Sequence, residues 1–211
     1  MIQKFFSMFF VLIAGIMFLG SSHTEAAGDT KVAVILETPD GMFSEPEVVY
    51  KTLNESLDKM FKGYSQFDII PVEETNAYVQ VYLEENELST TQFVNGVAVT
   101  SGEPALKKAN LSELDKHFEA DYLLYVRVYS GAAKVSAGLM SASQKVNVTT
   151  DFRVWSAEKA DYVYMKRFQA TGKSTAIYAG IGSSERAVEK GLKKGLSQVE
   201  ADAAKIRASM M

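Results

Sequence analysis

The spacing of apolar residues from residue 31 onward first predicts a buried strand and then a helix. Residues 31–37, KVAVILE, form a β-branched apolar run, which is typical of a central strand buried on both faces. Apolar residues then recur every three or four positions at 49, 53, 57 and 60, which predicts a helix. Ser44 and Glu47 form a capping-box pattern at its start, and Gly63 predicts its end.

The next two segments predict a short strand and a second helix. Residues 67–72, FDIIPV, predict the strand, and Pro71 indicates that its end lies near a sheet edge or leaves the sheet. Residues 77–83 alternate like a strand, but Thr75 and the acidic residues that follow them favour a helix. We therefore expect a helix here.

The segment from 88 to 118 predicts a loop followed by a helix. Residues 88–104 are small, polar and turn-forming around Phe93 and Val94, which predicts a long surface loop. Residues 106–118 carry apolar positions at helical spacing and predict the helix.

The pattern from residue 121 predicts an antiparallel meander. Residues 121–129, DYLLYVRVY, predict a strand, and residues 130–144 are rich in Gly, Ala and Ser, as in an extended turn or a loose hairpin tip. Alternation over 145–154 predicts a half-exposed strand, with the even-numbered residues inside and the odd-numbered ones in solvent. Residues 162–170 predict its partner across a turn.

The last element is a long amphipathic helix over about 184–207. One stripe of this helix is apolar, and beside it Ala187, Gly191 and Gly195 form a stripe of small residues, which we expect to allow a close approach to the sheet. A transmembrane helix dimer is excluded, because three lysines lie within or beside the glycine motif: Lys190, Lys193 and Lys194.

Together these elements predict an α+β fold with an α/β two-layer arrangement. We expect a mixed sheet of about five strands with an antiparallel meander, packed by two or three helices that include the long C-terminal one. Residues 27–211 are enough for one compact domain with its own core.

The first residues have the pattern of a secretory leader. Lys4 precedes an uncharged apolar run over 5–20, and small polar residues follow up to a plausible cleavage site at Ala26. The run is shorter than the roughly 20 residues that a spanning helix needs. We expect residues 1–26 to be a signal peptide and the protein to be periplasmic or secreted. The alternative is that the leader stays uncleaved as an anchor.

Charge and cysteine content exclude several kinds of partner and site. The formal net charge is −4, so a nucleic-acid partner is not expected. No polybasic run is present, so we expect membrane contact only through an uncleaved leader. The chain has no cysteine, which excludes disulfides, thiolate metal sites and an acylated cysteine anchor.

Four stretches carry a resemblance to a known group of envelope proteins. These are KVAVILE at 31–37, LDKMFKGYSQFDIIPVEET at 57–75, HFEADYLLYVRV at 117–128 and DFRVWSAEKADYVYMKRFQATGKST at 151–175. They resemble the periplasmic α/β domain shared by the curli-secretion subunit CsgG, the lipoprotein LpoB and the TolB N-terminal domain. The third stretch has Glu119 where glycine is common in that group. The resemblance implies a role in an envelope assembly through protein–protein contact.

Candidate chemistry along the chain is sparse. Gly172-Lys173-Ser174-Thr175 ends like a phosphate-binding loop, but Arg167 stands where the motif needs glycine, which favours a strand end or loop. His117 is the one histidine after the leader, and we expect a structural role at a helix end. No catalytic residue, metal site or cofactor is expected.

The sequence therefore predicts a non-enzymatic exported domain that binds another envelope protein or itself. The candidate partner-binding residues are Phe93 and Val94 in the predicted loop and Trp155 on the meander. One alternative is an exported small-ligand binder or hydrolase, which needs a pocket with converging acids or His117. Another is a subunit of an oligomeric ring or secretion pore.

Overall fold

The computed structural model describes residues 29–38, 46–89, 91–94, 97–100, 104–137, 141–177 and 183–211. The predicted signal peptide and the predicted cap at Ser44 lie outside these residues. The strands are β1 (Thr30–Glu37), β2 (Phe67–Ile70), β3 (Thr91–Val94), β4 (Val97–Thr100), β5 (Tyr122–Ser130), β6 (Lys134–Ala137), β7 (Ser141–Ser156) and β8 (Asp161–Ile177). The helices are α1 (Pro46–Phe61), α2 (Val72–Glu85), α3 (Lys108–Phe118), α4 (Ser184–Ala201) and α5 (Ala203–Ala208).

The main sheet is mixed and has six strands. β2, β1 and β5 are parallel neighbours, and β5 pairs antiparallel with β7. β8 pairs with β7 along its whole length. β6 and β5 therefore share the other edge of β7, where β5 pairs with residues 148–156 and β6 with residues 142–145. A separate antiparallel pair is formed by β3 and β4.

Each face of the main sheet has its own hydrophobic core. On one face, alternate residues of β1, β5 and β7 pack against α1, α4 and α5. On the other face, the intervening residues of β1 and β5 pack against α2 and α3, whose buried side chains include Val79 and Leu111. The period of two along each strand explains how one strand supplies both cores.

The predicted fold class is confirmed, and so are most of the individual elements. The expected strand at 31–37 is β1, the stripe at 49–60 lies on the buried side of α1, and Gly63 ends that segment with a positive φ of 82°. The helix expected at 77–83 is α2. The small-residue stripe of α4 packs directly on β7 and β8, as expected. The contact is so close that a Cβ atom at Gly191 or Gly195 would lie within 3 Å of a side chain of β7.

Three sequence predictions were wrong in detail. Residues 130–144 were predicted to be an extended turn or a loose hairpin tip, but they contain β6 and the start of β7, which pair with each other. Residues 88–104 were predicted to be a loop, but they contain the antiparallel pair β3–β4. The residues between these strands are Asn95-Gly96, a strong hairpin signal that a judgement from overall composition overlooks. The C-terminal helix is divided at Asp202, whose carboxylate accepts hydrogen bonds from the Tyr164 hydroxyl and from Lys166 of β8.

Replacing Glu119 by glycine is expected to stabilise the fold. Glu119 ends α3 in the left-handed region, with φ 51° and ψ 41°, where a side chain costs roughly 1 kcal/mol relative to glycine. Its ion pair with Lys31 is long, at 3.9 Å, and exposed, so its loss matters little. We expect Glu119→Gly to raise the free energy of unfolding by about 0.5–1 kcal/mol in urea denaturation. A decrease would contradict this account of the helix end.

Candidate functional site

One face of β7 and β8 has no helix on it among the described residues, except at Trp155 and Tyr162, which pack against the core under α2 and α3. On this face α2 and α3 cover the side chains of β1 and β5, whereas exposed side chains project from β7 and β8. Met165 is 61% exposed there, more than any other large apolar side chain of the described residues except Met211 at the end of the chain. We call this surface the open face; its exposed residues are Lys145, Asn147, Met165, Arg167, Gln169, Thr171, Lys173 and Thr175.

A row of four charged residues crosses the sheet from its buried part to the open face. The register places Glu37 beside Arg127, Arg127 beside Asp151, and Asp151 beside Arg167. The four residues come from β1, β5, β7 and β8 in that order and alternate in charge. Directly opposed side chains on one face of a sheet interact, so we call this set the charge row.

Arg127 is the centre of the charge row. Its Nε donates a hydrogen bond to Glu37 Oε1 at 2.6 Å, and its Nη1 donates one to Asp151 Oδ2 at 3.3 Å. The side chains of all three residues are at most 4% exposed. Burial of a charged group is tolerated only with such partners, so each charge here depends on the others.

Glu37 is held by backbone donors as well as by Arg127. The N–H groups of Ala105 and Leu106 approach its carboxylate at 3.2 and 3.5 Å, and the Tyr125 hydroxyl donates a further hydrogen bond. Burial, followed by the negative charge of Glu37, raises the pKa of Tyr125 far above its ordinary value. The segment before α3 is thereby tied to the end of β1.

Asp151 links the buried part of the charge row to solvent. Arg167 donates from Nε at 2.6 Å and from Nη2 at 3.0 Å, and Arg153 lies 3.5 Å away. Burial alone would raise the pKa of Asp151, but the hydrogen bonds and positive charges of these arginines outweigh it and lower the pKa below its ordinary value.

The stability of the fold should therefore depend on pH through Asp151. A lowered folded-state pKa means that this carboxylate stabilises the fold fully above its unfolded pKa of about 3.9, and that the contribution is lost as the pH falls through the folded value. We expect the free energy of unfolding, measured in urea between about pH 7 and pH 2, to fall in the acid range. The fall should be smaller in Asp151→Asn, and equal falls in both proteins would contradict this role.

The open face was only partly foreseen from the alternation of β7. Thr149 and Asp151 were predicted to lie in solvent, but they are only 8% and 3% exposed. Asp151 is covered because Arg127, Arg153 and Arg167 surround it from three strands. Sequence reasoning missed the charge row because its members are separated by 90, 24 and 16 positions.

Trp155 does not lie on a surface, although the sequence suggested it as a contact residue. Its side chain is 1% exposed, its Nε1 donates a hydrogen bond to Asp115 Oδ2 at 2.7 Å, and its ring packs edge-on against Tyr162. The indole is a core residue between β7 and α3 and cannot touch a partner without opening of the domain. Phe93 and Val94 lie in β3, and nothing in the structure tests their role.

The other candidates for chemistry have structural positions. The His117 ring stacks on Tyr78 with centroids 3.4 Å apart at the end of α3. The Gly-Lys-Ser-Thr segment at 172–175 lies within β8, paired with β7, and does not precede a helix as a phosphate loop would. The described residues contain no group of three or more side chains that could hold a metal ion.

A cavity of about 320 Å³ opens at the carboxyl end of β1. Glu37 contributes to its wall, and Glu84 and Glu87 at the end of α2 are exposed beside it. His117 does not line it. The cavity is thus a concave site with three acids in its lining, and the ligand-binding alternative stays a prediction. No helix within the described residues is long and apolar enough to cross a membrane.

No protein-family model matches this sequence, and no curated protein is significantly similar to it. Several solved bacterial structures show a weak similarity to the chain. The hypothetical protein CT253 from Chlamydia trachomatis is 10% identical, with a TM-score of 0.41 over 85% of this chain and 97% of that one. Lipoprotein GNA1162 from Neisseria meningitidis is 14% identical, with a TM-score of 0.35 over 85% and 99%. The LpoB C-terminal domain from Salmonella enterica is 9% identical, with a TM-score of 0.32 over 74% and 90%.

Proposed function

We propose that this protein is an exported, non-enzymatic domain that binds another envelope protein through the open face of its sheet. The observation that carries the proposal is the open face itself. Its far side is packed tightly by α4, whereas its near side presents an exposed Met165 and several cations to solvent. Methionine and arginine, which the open face presents as Met165 and Arg167, are enriched in protein interfaces relative to the rest of the surface.

The charge row supports this proposal, because it fixes the surface in place. Arg127 and Asp151 join β5 to β7, and Arg167 joins β7 to β8, so the hairpin cannot shift its register without breaking buried ion pairs. A contact surface held on rigid strands binds with a smaller loss of conformational entropy than a mobile one. The leader pattern of residues 1–26 supports the envelope as the place of action.

Site-specific crosslinking in the native cell tests the proposal. A photo-reactive amino acid replaces Met165 on the open face, and a control protein carries it at Glu55, an exposed position of α1 on the opposite side of the sheet. We expect a discrete crosslinked protein from position 165 in the envelope fraction and none from position 55. Recovery of the chain in the cytosol, or the absence of a discrete crosslink from position 165, would contradict the proposal.

A second candidate function is the binding of a small cationic ligand in the cavity beside Glu37. The cavity lies at the carboxyl end of β1. The chain crosses from β1 to β2 on one side of β1 and later returns to β5 on its other side, and such points of reversed strand order are frequent ligand sites. Spermidine is a suitable probe of the acidic rim. A rise in the unfolding temperature that is lost in Glu84→Gln/Glu87→Gln would favour this candidate, and no rise would exclude it for polyamines.

A further inference from the structure

Three lysines stand side by side near the tip of the β6–β7–β8 sheet, two of them on the open face and the third on the same side of the neighbouring strand β6. The register places Lys134 of β6 directly opposite Lys145 of β7, and Lys145 directly opposite Lys173 of β8. All three side chains are exposed, and none makes an ion pair or a hydrogen bond within the described part of the chain. We call this set the lysine row.

The lysine row contrasts with the charge row of the same sheet. In the charge row every cation lies beside a carboxylate, whereas neighbouring strands about 4.8 Å apart bring three like charges together in the lysine row. Like charges directly opposite each other destabilise a sheet. Such a concentration of positive charge in a chain of net charge −4 indicates a surface that is completed by an anionic partner.

The outer edge of β8 runs beside the lysine row. The carbonyl oxygens of Gln169 and Thr171 accept hydrogen bonds from Gln198 and Lys194 of α4, so the backbone at these positions points away from β7. Backbone direction alternates along an antiparallel strand, and Lys173 and Thr175 therefore also direct their backbone groups outward. No strand of the described residues pairs with this edge.

We propose that an extended acidic segment of a partner protein adds as a strand to the outer edge of β8 at residues 173–177. The edge supplies backbone hydrogen bonds, and the incoming carboxylates lie in line with the lysine row, beginning opposite Lys173. Only an extended polypeptide uses both features, since an anionic lipid surface has no backbone to pair. This inference rests on the proposed function and names the chemistry of its partner.

A peptide of five Glu-Thr repeats, blocked at both ends, is the probe for this surface. Its binding to the full chain is measured by fluorescence anisotropy, beside a peptide of five Gln-Thr repeats. The variant Lys134→Gln/Lys145→Gln/Lys173→Gln removes the lysine row. The matched control is Lys51→Gln/Lys62→Gln/Lys116→Gln, which removes the same charge at exposed lysines elsewhere.

We expect the acidic peptide to bind at low salt, and the lysine-row variant to bind it at least about tenfold more weakly than the control variant does. We also expect Thr175→Pro to weaken binding, because it removes an outward N–H without breaking the ladder to β7. Equal loss in both lysine variants, or full binding by Thr175→Pro, would overturn the proposal. The proposal would also be overturned if the peptide does not bind but anionic phosphatidylglycerol vesicles bind through the lysine row. Self-association of the chain through the lysine row, again without binding of the peptide, would overturn it as well.

Failure of this inference is distinguishable from failure of the proposed function. If the crosslink from position 165 persists when the lysine row is replaced, the protein still binds its partner through the open face, and the acidic strand is refuted. If no crosslink forms from position 165 in the unaltered chain, the proposed function itself fails.

Discussion

Replacing Arg127 by methionine is expected to lower the free energy of unfolding by about 3–5 kcal/mol. Methionine fills a similar volume, but it leaves the carboxylates of Glu37 and Asp151 buried without the cation between them. The penalty arises from the unpaired charges more than from lost packing. Urea denaturation at neutral pH, followed by far-ultraviolet circular dichroism, measures the loss.

Two comparisons separate unpaired charge from other effects of the Arg127 substitution. Arg186→Met, at an exposed position of α4, should change the stability by less than about 0.5 kcal/mol. The triple variant Glu37→Gln/Arg127→Met/Asp151→Asn keeps hydrogen-bonding groups without charge and should recover more than half of the loss. A triple variant as unstable as Arg127→Met alone would be evidence that packing, and not charge, explains the role of Arg127.

Much of the fold was predictable because its elements bury the faces that their own periodicity defines. Residues 31–37 are apolar throughout, and β1 is buried on both sides by two different cores. The apolar stripe of α1 was visible at intervals of three and four residues. In both cases the pattern that predicts the element is the pattern that its packing requires, so local sequence and tertiary structure agree.

The candidate site was much less predictable, because its members meet only through strand pairing. Asp151 looks like a solvent-facing residue within β7, and it is buried only because arginines from β5 and β8 flank it. Trp155 looks like an exposed aromatic on a meander, and it is buried because α3 places Asp115 against it. Neither neighbour can be inferred from the local pattern of β7.

The lysine row illustrates the same limit for surface charge. The sequence has no polybasic run, and this correctly describes its linear pattern. Lys134, Lys145 and Lys173 are 11 and 28 positions apart, and the registers of β6 with β7 and of β7 with β8 bring them together. An electrostatic surface on a sheet is decided by register, so a linear search for basic residues does not find it.

Gly172→Ala is expected to destabilise the fold by about 3 kcal/mol or more, near the upper limit for overpacking substitutions. A Cβ atom at Gly172 would lie 1.7 Å from the carbonyl oxygen of Ala187 and 2.6 Å from the backbone nitrogen of Gly191. Both obstacles belong to the backbone of α4, so the helix as a whole would have to move away from β8. Thermal and urea unfolding measure the loss, and a change below about 1 kcal/mol would contradict this close contact.

Gly131→Ala is the matched control for the same chemical change in the same region. A Cβ atom at Gly131 would meet only the carbonyl oxygen of Asn147 at 3.9 Å, which is an ordinary contact. We expect its effect to stay within about 1 kcal/mol, since the lower entropy of the unfolded chain then works in favour of alanine. The difference between the two variants measures the cost of separating α4 from the sheet.

A second substitution should relieve the loss of stability in Gly191→Ala much more than the loss in Gly172→Ala. The shortest contact of a Cβ atom at Gly191 would be 2.5 Å, to Val148 Cγ2 at the end of a side chain, whereas Val148 Cβ and the backbone nitrogen of Gly172 would lie farther away, at 3.0 and 3.3 Å. Gly191→Ala should therefore be less harmful in a Val148→Ala background, with a coupling of at least about 1 kcal/mol in a double-mutant cycle. Gly172→Ala should gain far less from Val148→Ala, because its obstacles are backbone atoms. Equal rescue of both glycine variants would mean that α4 shifts as a rigid body at little cost, and that the glycines do not set its distance from β7 and β8.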